Sequence, residues 1–547
     1  MNAVRNVTLS AALLGGCSFP ATSETIPQKP KLIVAIAVDQ LSSDIFNEHR
    51  GSFTGGLKRL ASGVVFPSGY QGHAATETCP GHSTILTGSR PSRTGIIAND
   101  WQDPSLTRLS RGGGATNEIY CAEKPGAAGS AAKDQVISAH FLRVPTLGDR
   151  MKAANPTSKV VAVSSKDRAA VMMGGSKADL TLWWNGKAYV TYADRSIPTA
   201  IEAANGRAAV AIAKAATPIL PAQCKAYSRE VPISASASVG VLKMRKAGDE
   251  SGWRASPESD AATADVALTA RTLLKLGEGA AQDVLAISFS ATDYVGHRFG
   301  TNGAEMCAQL AGLDATLGKL FANLDKTGIP YAVVLTADHG GHDLPERNKN
   351  NGLPAAERVD AALSARAVGT VLAAQFGLKE NALLGISPFG DQYLAASVPA
   401  DKRSEVRSAA VALYRAHRQV AAVFTKEELI AAPPPKGQVE DWTLIERART
   451  SFDAERSGDF LVLLKPYVTP IPNSGLGYVA THGSPWGYDR RVPILFWWKG
   501  VAPFEQSNGV ETADIMPTLA SLIGLKVPQA EIDGRCLDLM AGTGTNC

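Results

Sequence analysis

The amino-acid sequence predicts an α/β fold: a mostly parallel central sheet flanked by helices and carrying two inserted cap regions. Three observations predict it. Short, continuous apolar runs rich in β-branched residues recur along the chain, as expected of strands buried on both faces of a parallel sheet. Segments with apolar residues at three- and four-residue spacing lie between them, and strands alternating with helices indicate α/β architecture. Two long stretches, about 170–260 and 345–475, break that rhythm.

Taken in order, "MNAVRNVTLSAALLGGC" (1–17) sets Arg5 before a short apolar run and small residues, a signal-peptide pattern. Its "LGGC" resembles a bacterial lipobox, which would lipidate Cys17; cleavage at a later small residue is the alternative. Either way the chain is expected to be exported, to the periplasm or outside the cell. Residues 18–30, with three prolines and no apolar period, read as a tether. "KLIVAIAVDQ" (31–40) is the first core strand, and "ETCPGHSTILTG" (77–88) is a loop feeding a helix. Further strands are expected at "KVVAVSS" (159–165), "DVLAISFSATD" (283–293), "YAVVLTADHG" (331–340) and "RVPILFWW" (491–498). Helices are expected over 262–276 and 305–324. The first interruption contains "LTLWWNGKAYVTY", a hairpin; the second contains a basic helix near 402–417 and the break "APPPKG" (432–437). Both read as insertions packed over one core spanning 31–547, with a division into two domains as the alternative.

Composition narrows the function. The 547 residues hold 55 basic and 51 acidic side chains, a formal net charge of +4, too small to argue for nucleic acid or an anionic membrane. No run approaches 18 unbroken apolar residues, so no transmembrane segment is expected. Besides Cys17 there are six cysteines, which in an exported chain permit disulfides but allow 15 pairings. Cys536 with Cys547 is the most local candidate, and Cys79 with Cys121 is a second.

In an open α/β sheet, ligands bind outside the carboxyl ends of the strands. Asp39 closes the first predicted strand and Asp293 the third, with His297 following in "DYVGHRFG". Asp338 and His339 close the fourth, His482 lies in "ATHGSPWG" before the last, and Thr78 starts a helix. Singly, each has an ordinary structural explanation, since an Asp after a strand is usually a helix cap and His–Gly usually a turn. Jointly they concentrate three acids and three of only nine histidines at the ends of one sheet. Mixed imidazole and carboxylate ligands suit zinc, and a pair of such ions suits phosphate-ester chemistry.

The motifs "AVDQ", "TETCPGHSTILTG", "IIANDW", "SSKDR", "SATDYVGH", "TADHG" and "THGSPWG", in this order, resemble those of the alkaline phosphatase superfamily. More closely they resemble its bacterial periplasmic alkaline phosphatases of the threonine-nucleophile type, from about residue 31 to the C-terminus and most weakly in the insertions. The resemblance implies two Zn2+ per chain: one held by Asp293, His297 and His482, the other by Asp39, Asp338 and His339 with Thr78. It implies Thr78 as the nucleophile forming a phosphothreonine, and Asn99, Lys166 and Arg168 as contacts for the phosphoryl oxygens. Cys79 is then a packing or disulfide residue, and His82 is structural, because both shells fill without it.

Relatives separate on the substrate groups. Sulfatases need a Cys or Ser in C/S-x-P-x-R; here Thr78 stands in that place, with Pro80 and with His82 for the Arg, which argues against sulfatase activity. Nucleotide pyrophosphatases/phosphodiesterases share the Thr and the Asn, and what separates them is the Lys-x-Arg pair of "SSKDR". Two added cations favour a monoester, which carries one more negative charge than a diester. The expectation is a broad-specificity phosphomonoesterase acting on small molecules, a monomer by the lack of an obvious dimer motif, with Ca2+ in acidic loops left open. A phosphodiesterase is the alternative within the superfamily. An inactive exported metal-binding protein on this fold is the alternative from another class.

Overall fold

The structure, a computed structural model, describes residues 29–109, 115–125, 136–474, 477–541 and 544–547. The expected signal peptide, its Cys17 and the tether up to residue 28 lie outside the described residues. Ten strands make the central sheet: β1 (Leu32–Val38), β2 (Val64–Tyr70), β3 (Val160–Ser164), β4 (Leu180–Trp184), β5 (Tyr189–Val190), β6 (Asp283–Phe289), β7 (Tyr331–Thr336), β8 (Arg491–Trp498), β9 (Phe504–Glu505) and β10 (Val510–Glu511). Their spatial order is β5-β4-β3-β6-β1-β7-β8-β2-β9, with β10 also paired to β2. The helices that matter for the site and its support are α1 (Thr78–Ile85), α2 (Asp167–Gly174), α3 (Pro257–Leu274), α4 (Ala291–Phe299), α5 (Ala304–Asp325) and α6 (Ile515–Ile523).

The apolar runs become strands because both faces of the sheet are covered. Leu32, Val34, Ile36 and Val38 of β1 enter a core shared with α3 and α5, while Ile33, Ala35 and Ala37 enter a second core shared with α6. A strand buried on both sides reads as continuous apolar sequence, without alternation. Truncating a side chain as closely packed as Ile36 costs about 2–5 kcal/mol.

Strands β4, β3, β6, β1 and β7 run parallel, but β8 is antiparallel to both β7 and β2. That reversal positions the site. A loop entering a reversed strand arrives at the carboxyl ends of its neighbours, and this brings the segment carrying His482 beside Asp338 and His339. Gly340 N donates to Asp489 O at 2.7 Å and Gly341 N to Tyr488 O at 3.1 Å, which stitches the two segments together.

Several elements differ from the sequence expectation. β6 ends at Phe289, and Asp293 sits in the first turn of α4 instead of closing the strand. β2 has no clean apolar signature, since "VVFPSGY" includes Pro and Gly and its register shifts between Phe66 and Gly69. The Leu180–Trp184/Tyr189–Val190 hairpin forms, but as an edge of the central sheet and not as a layer over it. Residues 345–475 build a separate antiparallel sheet in the order Leu383–Leu384, Gly390–Leu394, Phe460–Leu464, Val420–Thr425. Helices Ala365–Phe376 and Arg403–Ala416 close its core around Leu372, Val406, Tyr414 and Phe460. All six described cysteines pair: Cys79–Cys121, Cys224–Cys307 and Cys536–Cys547.

Candidate active site

The sheet delivers the sequence-predicted residues to one buried place. Asp39 follows β1, Asp338 and His339 follow β7, and Asp293 and His297 lie one turn apart on α4. His297 Nε2 and His482 Nε2 both face Asp293 Oδ1, at 3.1 and 3.4 Å. His339 Nε2 lies 3.3 Å from Asp338 Oδ2 and 3.5 Å from Asp39 Oδ1, and its ring stacks on His482 with centres 3.6 Å apart. Each imidazole is oriented from behind by a backbone carbonyl: His297 Nδ1 by Ala480, His482 Nδ1 by Thr76 and His339 Nδ1 by Gly340. These contacts turn all three Nε2 atoms inward, the usual second partner of a metal-binding histidine.

Two groups of donors are close enough to hold an ion, Asp293–His339–His482 and Asp39–Asp338–His339, and they share His339. His297 joins the first through its contact with Asp293. Asp39 Oδ1, Asp293 Oδ1, Asp338 Oδ2 and His339 Nε2 are buried without a well-formed hydrogen bond. Buried polar atoms are normally satisfied, so inward-facing donors of this kind fit a cation as partner. No third such cluster occurs among the described residues.

Electrostatics agree with that fit. Burial pushes the His339 imidazole down to about 3 and lowers His297, which disfavours the charged form of both rings. Burial opposes ionisation of Asp293 and of Asp338, yet His297 with Lys166, and His339 with His82, hold the two carboxyls low. Asp39 is raised well above the carboxylate range, by burial and then by the Asp338 charge. Burial disfavours the Lys166 ammonium, but Asp293 and Asp39 outweigh it and raise its pKa. Three buried carboxyl groups thus crowd around one ammonium, an excess of acidic groups of the kind that divalent ions relieve.

The cations converge on the hydroxyl. Lys166 is the last residue before α2 and Arg168 its second; Lys166 Nζ and Arg168 Nη2 each lie 3.4 Å from Thr78 Oγ1. Lys166 Nζ also meets Asp39 Oδ2 at 2.7 Å and Asp293 Oδ2 at 2.5 Å. Asn99 Oδ1 accepts from the N–H of Cys79, the residue after Thr78, at 2.8 Å. The Cys79–Cys121 disulfide ties the start of α1 to the Asp100–Gln102/Glu118–Tyr120 hairpin that follows Asn99. Cys79 is scaffolding. At Gly81, α1 packs so closely on the Asp338 carbonyl that any Cβ would overlap it, so only glycine fits.

In the sequence His82 reads as structural, and Glu77, Tyr294 and Tyr478 had no sequence signal. His82 is more than a filler of space: its Nδ1 lies 2.9 Å from Thr78 O and 3.1 Å from Asp338 Oδ2. Glu77 Oε2 accepts from Asn99 N at 2.7 Å, Tyr478 stacks on His297, and the Tyr294 ring lies 5.3 Å from Lys166 Nζ. A glutamate before a threonine or an isolated tyrosine has no spacing that marks it.

Comparison with known proteins decides the family. Residues 33–485 match the model described as type I phosphodiesterase/nucleotide pyrophosphatase. The chain belongs to that family, within the alkaline phosphatase superfamily. It is 52% identical over 526 residues to alkaline phosphatase PhoK of Sphingomonas sp, covering 95% of this chain and 92% of that one. It is 48% identical over 522 residues to alkaline phosphatase PhoD of Zymomonas mobilis, covering 94% and 89%. The crystal structure of alkaline phosphatase PafA superposes with a TM-score of 0.80 at 25% identity, over 93% of this chain and 98% of that one. The fold is that of PafA, and the chain is a phosphomonoester hydrolase of the superfamily.

Proposed function

We propose that this family member is a two-zinc alkaline phosphatase that hydrolyses small phosphate monoesters through a phosphothreonine at Thr78. Asp293, His297 and His482 would hold one Zn2+, and Asp39, Asp338, His339 and Thr78 the other. When bound, such ions lower the pKa of the nucleophilic hydroxyl and take up charge on the leaving oxygen. The chain's own residues do the rest. Thr78 Oγ1 forms a bond to phosphorus as the ester oxygen leaves; water then cleaves the phosphothreonine, releasing phosphate and restoring Thr78. Lys166, Arg168 and the Asn99 amide bind the non-bridging oxygens, and phosphoryl transfer needs little beyond such positioning and charge.

The observation that carries this reading is the convergence of Lys166 and Arg168 on Thr78 Oγ1. Two buried cations there favour a dianionic monoester over a monoanionic diester. The test compares kcat/KM for p-nitrophenyl phosphate and bis-p-nitrophenyl phosphate in the wild type and in Lys166→Ala/Arg168→Ala, with zinc supplied. Charged hydrogen bonds are worth about 1.5–3 kcal/mol each, so the double variant should lose at least about 10²-fold of monoester preference. A wild type that prefers the diester would support the phosphodiesterase alternative suggested by the family description. Three disulfides among the described residues also support export into an oxidising compartment.

A further inference from the structure

Two clefts open on the site, and they differ in chemistry. One, of about 850 Å3, is lined by Lys166, Arg168, Arg254 and Tyr294, and so begins where the phosphoryl oxygens would be bound. The other, of about 680 Å3, runs between the cap sheet and the segment around Trp101, and its inner end is Asn99 with Gly483. Its size suits a small organic ligand. Gly483 follows His482, so this cleft reaches the site beside one of the Asp293–His297–His482 donors, and it adjoins the first cleft through Asp100, Thr116 and Glu118, which line both.

Its outer wall is apolar. Leu384, Ile386 and Phe389 come from the connection between the cap strands Leu383–Leu384 and Gly390–Leu394. Phe389 packs against Gly483, where a Cβ would lie 3.1 Å from its ring, and Gly483 has φ 110°. Ile386 is 69% exposed at the rim. The cleft's charge is one-sided: Glu77, Asp100, Glu118 and Asp391 line it against Arg366 as the one basic side chain among the described lining residues.

We infer that this cleft is the leaving-group subsite, and that it selects uncharged aromatic or apolar alcohols while rejecting leaving groups that carry negative charge. The proposal rests on the monoesterase reading above, because a phosphoryl group held by Lys166 and Arg168 must place its ester oxygen away from them. Phe389 and Ile386 supply contact area for an aromatic ring, which is removed from water when the ester binds. Burial raises Asp100 and Asp391 to about 7, so above that pH the ionised carboxylates repel an anionic substituent.

The experiment measures kcat/KM for four monoesters, 1-naphthyl phosphate, glycerol 2-phosphate, phenyl phosphate and 3-carboxyphenyl phosphate, in the wild type, Phe389→Ala, Ile386→Ser and Asp391→Asn. The Ki of inorganic phosphate, which has no leaving group, reports separately on the phosphoryl site. The naphthyl-to-glycerol ratio should fall about tenfold in Phe389→Ala and several-fold in Ile386→Ser, in keeping with what apolar pocket contacts discriminate. The carboxyphenyl-to-phenyl ratio should rise several-fold in Asp391→Asn. Ratios that stay within twofold of wild type in all three variants would overturn the proposal, as would losses that affect every ester and the phosphate Ki alike. Ile386 is exposed, so its variant keeps the test readable if Phe389→Ala fails to fold. The ratios compare monoesters with one another, so they hold or fail independently of the monoester-to-diester comparison.

Discussion

Replacing His82 with alanine removes three contacts at once: Nδ1 to Thr78 O (2.9 Å) and to Asp338 Oδ2 (3.1 Å), and Nε2 to Ser288 Oγ (2.8 Å). Nδ1 faces two acceptors, so it carries a proton towards them. The side chain is fully buried, so the truncation strands the Ser288 hydroxyl beside a new cavity, while the Thr78 carbonyl keeps the backbone N–H of residue 82 within α1. At about 1–3 kcal/mol for the stranded hydroxyl and about 2 kcal/mol for the cavity, the folded state should lose about 3–5 kcal/mol in all. The second effect separates positioning from packing. His82 orients the Asp338 carboxylate, and outer partners of metal ligands typically govern about 10–100-fold in metal affinity. The assay is Zn2+ competition against a chelator of known affinity, run beside urea unfolding of the metal-free chain. A variant that shows the stability loss but binds Zn2+ within twofold of wild type would refute the positioning role.

Two other perturbations test the scaffold. Cys224 and Cys307 are 83 residues apart in sequence, and their disulfide joins the 215–250 region to α5. Loop-closure entropy for a ring of that length amounts to about 4–5 kcal/mol, so Cys224→Ser/Cys307→Ser should lower stability by up to that much in denaturant titrations, and an unchanged midpoint would contradict it. Asp260 is fully buried, accepts from Ala291 N and Gln309 Nε2, and is pushed by burial up to about 7. A carboxyl raised in the folded state binds its proton more tightly there, so the wild type loses stability as pH rises from about 4 to 7. Asp260→Asn should therefore gain on the wild type across that window, by at most about 4 kcal/mol, and an equal stability difference at pH 5 and pH 8.5 would contradict it.

The strands that carry the site were legible because both faces of the sheet are buried, so "KLIVAIAVDQ" is apolar from Leu32 up to its acid and "YAVVLTADHG" is interrupted only by Thr336. Asp293 and His297 were legible as a spacing, although only the helix that begins at Ala291 makes them neighbours. The reversal of β8 was not legible, because an apolar run has no direction, and it is this reversal that carries His482 to His339. Cys224–Cys307 had no local signal among 15 pairings, whereas the 11-residue separation of Cys536 and Cys547 did. The approach of Phe389 to Gly483 joins the cap to the core, and no periodicity within either segment encodes it.

The central claim is that Thr78 becomes covalently phosphorylated. Zinc-loaded protein mixed with p-nitrophenyl phosphate and quenched in acid should yield a phosphorylated peptide containing Thr78, identified by mass spectrometry and lost in Thr78→Ala together with turnover. Phosphate on no residue, or on a residue other than Thr78, with Thr78→Ala retaining activity within tenfold of wild type, would contradict the account.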